Sequence, residues 1–410
     1  MKRRVVITGM GGLSPLGNTA PSMWENAKKG VCGIDFIKSF DTSEMKVKIA
    51  GELKDYRAED YMDKMAARRT ARFTQLALIA AREAMAQSGL DMEQEDRTRC
   101  CVNISSGIGG LPTIEEEHSK GMKRGFDRVS PLFVPMAISN MAAGMTAIEH
   151  GFQGSCQCIV TACASATNAI GEAFRQIRDG YADVYLSGGT ESSISELGIG
   201  GFTSMKALSE SEDPKRASIP FDKERNGFVM GEGAGVLVLE EYEHAVSRGA
   251  EILAEIVGYG ATCDANHMTA PLEDGSGAAR CMTEAMKDAG ITPDQIGYIN
   301  AHGTSTPMND KCETRAVRTA FGDAADRLLI SSTKSMTGHL LGASGAVEAI
   351  FTVSALRDRF APPTIGYRVF DEECDLDIVA GTGKAFTGDY AMSNSLGFGG
   401  HNASIIFKRG

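Results

Sequence analysis

Apolar residues recur along this chain with two alternating periods. Short, β-branched runs read as strands at residues 4–9, 100–105, 183–187, 235–240, 252–259, 296–300, 328–332, 391–395 and 404–407. Between them, spacings of three and four predict helices at 70–88, 277–289, 311–321 and 345–357. Strands that alternate with helices define an α/β chain with largely buried sheets. No Pro- or Ser-rich tract marks a flexible linker, so any two halves are expected to pack closely.

One such unit carries chemistry. Residues 156–162, Cys-Gln-Cys-Ile-Val-Thr-Ala, read as a strand. Beyond it, Ile170, Ala173, Phe174 and Ile177 fall at i, i+3, i+4 and i+7, the stripe of an amphipathic helix. Cys163 therefore sits at or just before a helix N-terminus, where unpaired N–H groups favour an anion. A thiol there is expected to ionise more readily, and the thiolate is the nucleophile. A buried, inert cysteine is the competing reading of this segment alone.

Three further segments change that balance. Asn300-Ala-His-Gly-Thr-Ser-Thr-Pro307 follows an apolar strand and places His302 at its end. Residues 334–343, Lys-Ser-Met-Thr-Gly-His-Leu-Leu-Gly-Ala, do the same for Lys334 and His339. Asn394-Ser-Leu-Gly-Phe-Gly-Gly-His-Asn402 is a glycine-rich loop with one aromatic, Phe398. A cysteine at a helix start joined by two strand-end histidines suits acyl transfer through a thioester. The backbone N–H groups of Cys163 and Phe398 would hold the oxyanion. Two neutral imidazoles would each offer one N–H donor.

These segments, TACASAT, NAHGTSTP, KSMTGHLLGASG and NSLGFGGHN, resemble the β-ketoacyl-[acyl-carrier-protein] synthases, most closely the type II elongating enzymes. The resemblance runs from VVITGMGGLSPLG to ASIIFKR, essentially the whole chain. It implies a thiolase-like fold of two similar halves in a layered α-β-α-β-α core, with residues 1–250 carrying the cysteine and 251–410 the histidines. It implies decarboxylative condensation of an acyl group on Cys163 with a malonyl group on acyl-carrier protein, without a required cofactor. Lys334 and Glu348 match a charge pair beside His302 and His339. Thr304 and Thr306 match positions that hold the phosphopantetheine arm, though both also read as ordinary loop hydroxyls. Ile108 and Phe202 match acyl-pocket positions, and Phe133 one contributed across a homodimer interface. Arg68, Arg69, Arg128 and Lys206 match or neighbour carrier-docking cations; a merely solvated helix face is the alternative for the first two. In some members a structural Na+ or K+ is held at positions matching Asn300, Glu348 and Asn394. The chain departs from the family pattern at Leu396, usually Phe, and His401, often Thr. A polyketide-type ketosynthase and a cysteine-dependent thioester hydrolase are the alternative functions.

Bulk properties agree. The net charge of −11 argues against generic nucleic-acid binding. The ten cysteines form neither a disulfide framework nor zinc-like pairs, which suggests a reducing, cytoplasmic setting. No apolar run approaches the roughly 20 residues of a membrane span. Gly9-x-Gly11 after the first strand looks like a dinucleotide fingerprint, but the third glycine is missing and Pro15 follows. His118, His150, His244 and His267 are isolated and expected to be structural or exposed.

Overall fold

The computed structural model describes residues 2–410. Ten strands form its principal sheet system. In chain order they are β1 (Val5–Leu13), β2 (Cys100–Ser105), β3 (Cys156–Gln157), β4 (Val184–Glu191), β5 (Gly233–Glu241), β6 (Ala254–Cys263), β7 (Ile296–Asn300), β8 (Leu329–Ser331), β9 (Tyr390–Gly397) and β10 (His401–Arg409). The spatial order is β8-β7-β9-β10-β6-β1-β5-β4-β2-β3. Read outward from the middle, the first half runs β1-β5-β4-β2-β3 and the second β6-β10-β9-β7-β8. Both halves follow one pattern, two antiparallel pairings and then two parallel ones. The halves join where β1 and β6 pair antiparallel through Val5–Ile256, Val6–Glu255 and Ile7–Ala254.

Helices complete the layers. Two central helices, α2 (Ser165–Arg178) and α5 (Ser344–Asp358), share one core with Leu237 and Leu239 of β5 and Ile405 and Phe407 of β10. The alternate residues Val236 and Val238 turn to the opposite face, against α1 (Arg72–Ser88). Met392 and Ile406 likewise face α3 (Ser276–Ala289) and α4 (Pro307–Phe321). The period-two alternation of each strand thus feeds two cores, giving the α-β-α-β-α layering.

Gly9 and Gly11 are explained by packing. A Cβ on either would lie 2.1 or 2.0 Å from the backbone oxygens of Ala84 and Ala80 in α1. The glycines let that helix lie against β1, and the dinucleotide resemblance ends there.

Two expectations need correction. The strand expected over 156–162 spans only Cys156–Gln157. It is a sheet edge paired solely with β2, and beyond it the chain turns inward: Thr161 N–H donates to Ser165 Oγ at 2.9 Å, not to a ladder. The helix expected from residue 70 begins at Arg72. Arg68 and Arg69 end a separate helix, Lys64–Arg69, capped by Asp63 and cut off by extended backbone at Thr70 and Ala71.

Candidate active site

Cys163 lies in the 3-10 turn Ala162–Ala164, immediately before α2. The bend is made at Ala162, whose φ of 49° is left-handed. Ser165 Oγ donates to Ala162 O at 2.6 Å, fixing the turn to the helix it precedes. A polar chain supports it from the other half: Tyr259 Oη donates to Asn168 Oδ1 (2.6 Å), and Asn168 Nδ2 to Thr161 Oγ1 (2.7 Å).

The glycine-rich loop closes on this turn. A Cβ at Gly397 would stand 2.8 Å from Thr161 O and 3.1 Å from Cys163 N. Gly399 and Gly400 have φ of 88° and 74°, a conformation that side chains resist. The loop brings the Phe398 N–H to the Cys163 sulfur.

Both histidines arrive at the same point. His339 Nε2 is 2.9 Å from Cys163 Sγ, and its Nδ1 is 2.8 Å from Ser344 Oγ. The His302 ring stands near-perpendicular to that of His339, 5.3 Å away between centroids. The sulfur and one nitrogen of each imidazole all lie within 4.8 Å of one another. His302 and Gly303 donate their backbone N–H groups to Glu313, at 2.8 and 2.7 Å. Lys334 is ion-paired with Glu348, both buried.

The electrostatics follow from burial. His302 and His339 are held well below the usual histidine range by desolvation and then by the Lys334 charge. Both imidazoles are therefore neutral, as expected. Glu313 is pushed up to about 7 by burial, against the pull of its two N–H donors. The Cys163 thiol differs from expectation: burial pushes it up to about 12, although Lys334 and the Phe398 N–H pull it down. Desolvation of the sulfur outweighs the helix start, so ionisation needs a proton acceptor, and His339 Nε2 is in place.

Cysteine with two histidines is also a zinc-type donor set. Two such ligands on one tetrahedral ion stand about 3.5 Å apart, from the bond lengths involved. The 2.9 Å separation of Cys163 and His339 is that of a hydrogen bond, and the Lys334 charge disfavours a cation.

A cavity of about 490 Å³ opens onto the sulfur. Ile108, Phe202, Thr304, Thr306, Phe398 and Lys206 all line it, as does the family departure Leu396. Phe202 meets Phe228 edge-on at 5.4 Å and Phe398 at 6.4 Å. Thr304 and Thr306 hydroxyls are 2.9 Å apart, and Thr306 also caps α4. Phe133 opens the short helix Phe133–Ala137 and does not line this cavity. Arg68, Arg69 and Arg128 are exposed away from the cavity, whereas Lys206, also exposed, stands at its edge.

The cation positions divide. Asn300 Nδ2 is 3.4 Å from Glu348 O, and Ser393 pairs with Asn300 across β9 and β7. Glu348 Oε2 and Ser393 Oγ are buried without a hydrogen-bond partner, which fits a small cation held beside them. The Asn394 side chain does not fit: it faces the opposite side of the sheet, accepting from Ser404 Oγ at 2.8 Å. Strand alternation turns it away from Asn300.

Sequence reading missed Ser344, Glu313 and the segment carrying Asp264, Thr269, Ala270 and Pro271, which walls the cavity. Ser344 lies five residues after His339, within a quoted motif. Glu313 and the wall segment had no local signal. Their roles arise from α4 and from the end of β6 crossing to the site.

A thiol, an acceptor imidazole and a second imidazole beside an apolar-walled cavity define a cysteine-dependent acyl-transfer site. Residues 2–245 match the profile of the beta-ketoacyl synthase N-terminal domain, and residues 253–368 that of the C-terminal domain. The chain belongs to the β-ketoacyl synthase family. It is 53% identical over 407 residues to 3-oxoacyl-[acyl-carrier-protein] synthase 2 of Staphylococcus aureus (strain COL), covering 99% of this chain and 98% of that one. The protein of the same name from Synechocystis is 48% identical over 409 residues, covering 100% and 98%. Among solved structures, AntDE:AntF, a type II PKS acyl-carrier protein in complex with its ketosynthase, superposes with a TM-score of 0.92 at 34% identity over the full length of both chains.

Proposed function

We propose that this chain is an elongating 3-oxoacyl-[acyl-carrier-protein] synthase of fatty-acid synthesis, with Cys163 as acyl acceptor. The 2.9 Å contact between Cys163 Sγ and His339 Nε2, with His302 in the same cluster, carries the reading.

In the first step the thiol proton passes to His339 and Sγ attacks the acyl thioester carbonyl. The bond to the carrier sulfur breaks, and the carrier leaves as a thiol with the proton. The Cys163 and Phe398 N–H groups hold the oxyanion. In the second step the malonyl C–C bond breaks and carbon dioxide departs. The electron pair moves into an enolate whose oxygen accepts from His302 and His339. For this, each neutral ring presents an N–H, and Ser344 can donate to or accept from the far side of His339. The enolate carbon then attacks the acyl-Cys163 carbonyl, and Sγ leaves as a thiolate that takes up a proton from solvent. The Lys334 charge disfavours protonation of both imidazoles, and the Lys334–Glu348 pair orients them.

Exposed Val134, Ile138 and Ile148, together with the free edge of β3, support a homodimer in which Phe133 reaches the partner's pocket. The exposed Arg68, Arg69, Arg128 and Lys206 form the docking cations for an acidic carrier. A structural Na+ or K+ would be held by Asn300, Glu348 and Ser393. The repeated strand order supports a division into 1–250 and 251–410. Ten free cysteines fit a cytoplasmic setting, and among the described residues no helix is long and apolar enough to cross a membrane. The greater identity to synthase 2 proteins than to the polyketide ketosynthase favours fatty-acid over polyketide chemistry.

The test is product analysis after mixing the protein with acyl- and malonyl-carrier protein. Carbon dioxide and a 3-oxoacyl-carrier product two carbons longer are expected. Free fatty acid without carbon dioxide would mean a hydrolase.

A further inference from the structure

Glu191 closes β4 and is completely buried. Five neutral donors converge on its carboxylate. Oε2 accepts from the N–H of Gly107 at 2.8 Å and of Gly342 at 3.0 Å. Oε1 accepts from Ser193 Oγ at 3.0 Å, Ser106 Oγ at 3.1 Å and Ile108 N–H at 3.3 Å. None of the steps above uses this group.

Ser193 follows Glu191 on its own segment, and the other four donors belong to two separate turns. One, residues 106–109, carries Ile108 into the cavity. The other, Leu341–Ala343, carries Leu341 into the same cavity and lies between His339 and its partner Ser344. The turns meet with no spare room. A Cβ on Gly342 would lie 2.2 Å from Gly107 N and 2.8 Å from Glu191 Oε2, and one on Gly107 would also lie 2.8 Å from that oxygen. Both glycines let backbone close on the carboxylate, and Oε2 alone accepts an N–H from each turn.

We propose that Glu191 is a positioning residue that locks the acyl-cavity wall at Ile108 to the turn that orients His339, and so sets which acyl lengths load and how well the loaded chain condenses. The proposal rests on the acyl-transfer reading of Cys163. With Gly107 and Ile108 held by their N–H groups, a longer acyl chain is admitted by rotation of the Ile108 side chain and not by retreat of its backbone. Ile108 and His339 then keep a fixed spacing whatever chain is bound.

The test compares wild type, Glu191→Gln and Ser106→Ala as full-length protein. Glu191→Gln keeps the size but sets an amide NH2 against N–H donors. Ser106→Ala removes one donor and the contact that Ser106 Oγ makes with the Gly109 N–H at 3.0 Å. Loading of Cys163 from hexanoyl- and palmitoyl-carrier protein is measured first, followed by condensation kinetics and amide hydrogen exchange. Wild type must load; failure there overturns the function itself, not the clamp. In Glu191→Gln the long-to-short loading ratio should change about tenfold, and condensation kcat should fall about tenfold with KM for malonyl-carrier protein unchanged, the scale of a lost hydrogen bond to a charged group. Exchange at Gly107, Ile108 and Gly342 should accelerate together. Ser106→Ala should move the ratio in the same direction by less, and it carries the test if Glu191→Gln does not fold. An unchanged ratio in folded variants, or equal loss at both lengths, would overturn the proposal.

Discussion

Ala162 and Leu341 adopt the same left-handed backbone, with φ of 49° and 48°, at matching places in the two halves. Each opens a 3-10 turn, Ala162–Ala164 or Leu341–Ala343, and each turn leads directly into a central helix. Cys163 is the second residue of the first turn and Gly342 of the second. One half thus presents the thiol where the other presents only backbone, and the second half supplies His339 two residues before its turn.

The strain at Ala162 is testable. A left-handed non-glycine residue costs roughly 1–2 kcal/mol, and β-branching adds to it. Ala162→Gly should stay within about 1 kcal/mol of wild type, since relief of strain is offset by glycine's chain entropy. Ala162→Val should lower the melting temperature and slow acyl loading of Cys163. Equal loading by both variants would show that the bend does not position the sulfur.

The two histidines should separate by step. Removing one donor to a developing oxyanion costs about 2.7–4 kcal/mol, so either alanine variant should slow malonyl decarboxylation by about 10² to 10³. Only His339 touches Cys163 Sγ. His339→Ala should also slow loading, while His302→Ala should load near the wild-type rate. Normal decarboxylation in both variants would remove the enolate role.

The protonation states give a pH profile. Because both imidazoles are held well below the usual range, decarboxylation should stay flat through pH 6.5 and fall only in stronger acid. The free thiol is raised to about 12, so alkylation of Cys163 by iodoacetamide should keep rising through pH 9. A plateau of alkylation near neutrality would show a thiolate already formed in the resting protein.

Away from the site, His244 lies between two carboxylates, with Nδ1 2.6 Å from Glu240 and Nε2 2.9 Å from Glu95. The bond to Glu240 raises its pKa despite desolvation. A raised histidine contributes stability that is fully present below the unfolded value and is lost as pH rises through the folded one. His244→Gln should therefore melt well below wild type at pH 6, and the gap should narrow as pH rises above 7. A gap that widens with pH would contradict the assignment.

Much of this was legible in the residues because local pattern and tertiary role coincided. Ile170, Ala173, Phe174 and Ile177 form the buried stripe of α2 as their spacing requires. His302 follows the end of β7 and Cys163 precedes the start of α2, as sequence can show. His339, expected at a strand end, lies beyond the short helix Lys334–Thr337 that separates it from β8. What failed was decided across the chain. The strand before Cys163 was cut short because Thr161 bonds to Ser165 and not to a neighbouring strand. The easily ionised thiol was lost to burial, which a helix start does not reveal. The repeat was hidden because TACASAT and LLGASGA share little beyond Ala-Ser. Its mark is a backbone angle and a strand order.

The most direct test of the whole account is mass spectrometry after incubation with acyl-carrier protein. One acyl adduct on Cys163 is expected, lost in Cys163→Ala, which should still decarboxylate malonyl-carrier protein through its two histidines. An adduct on Cys158 or Cys263 in its place would contradict the account.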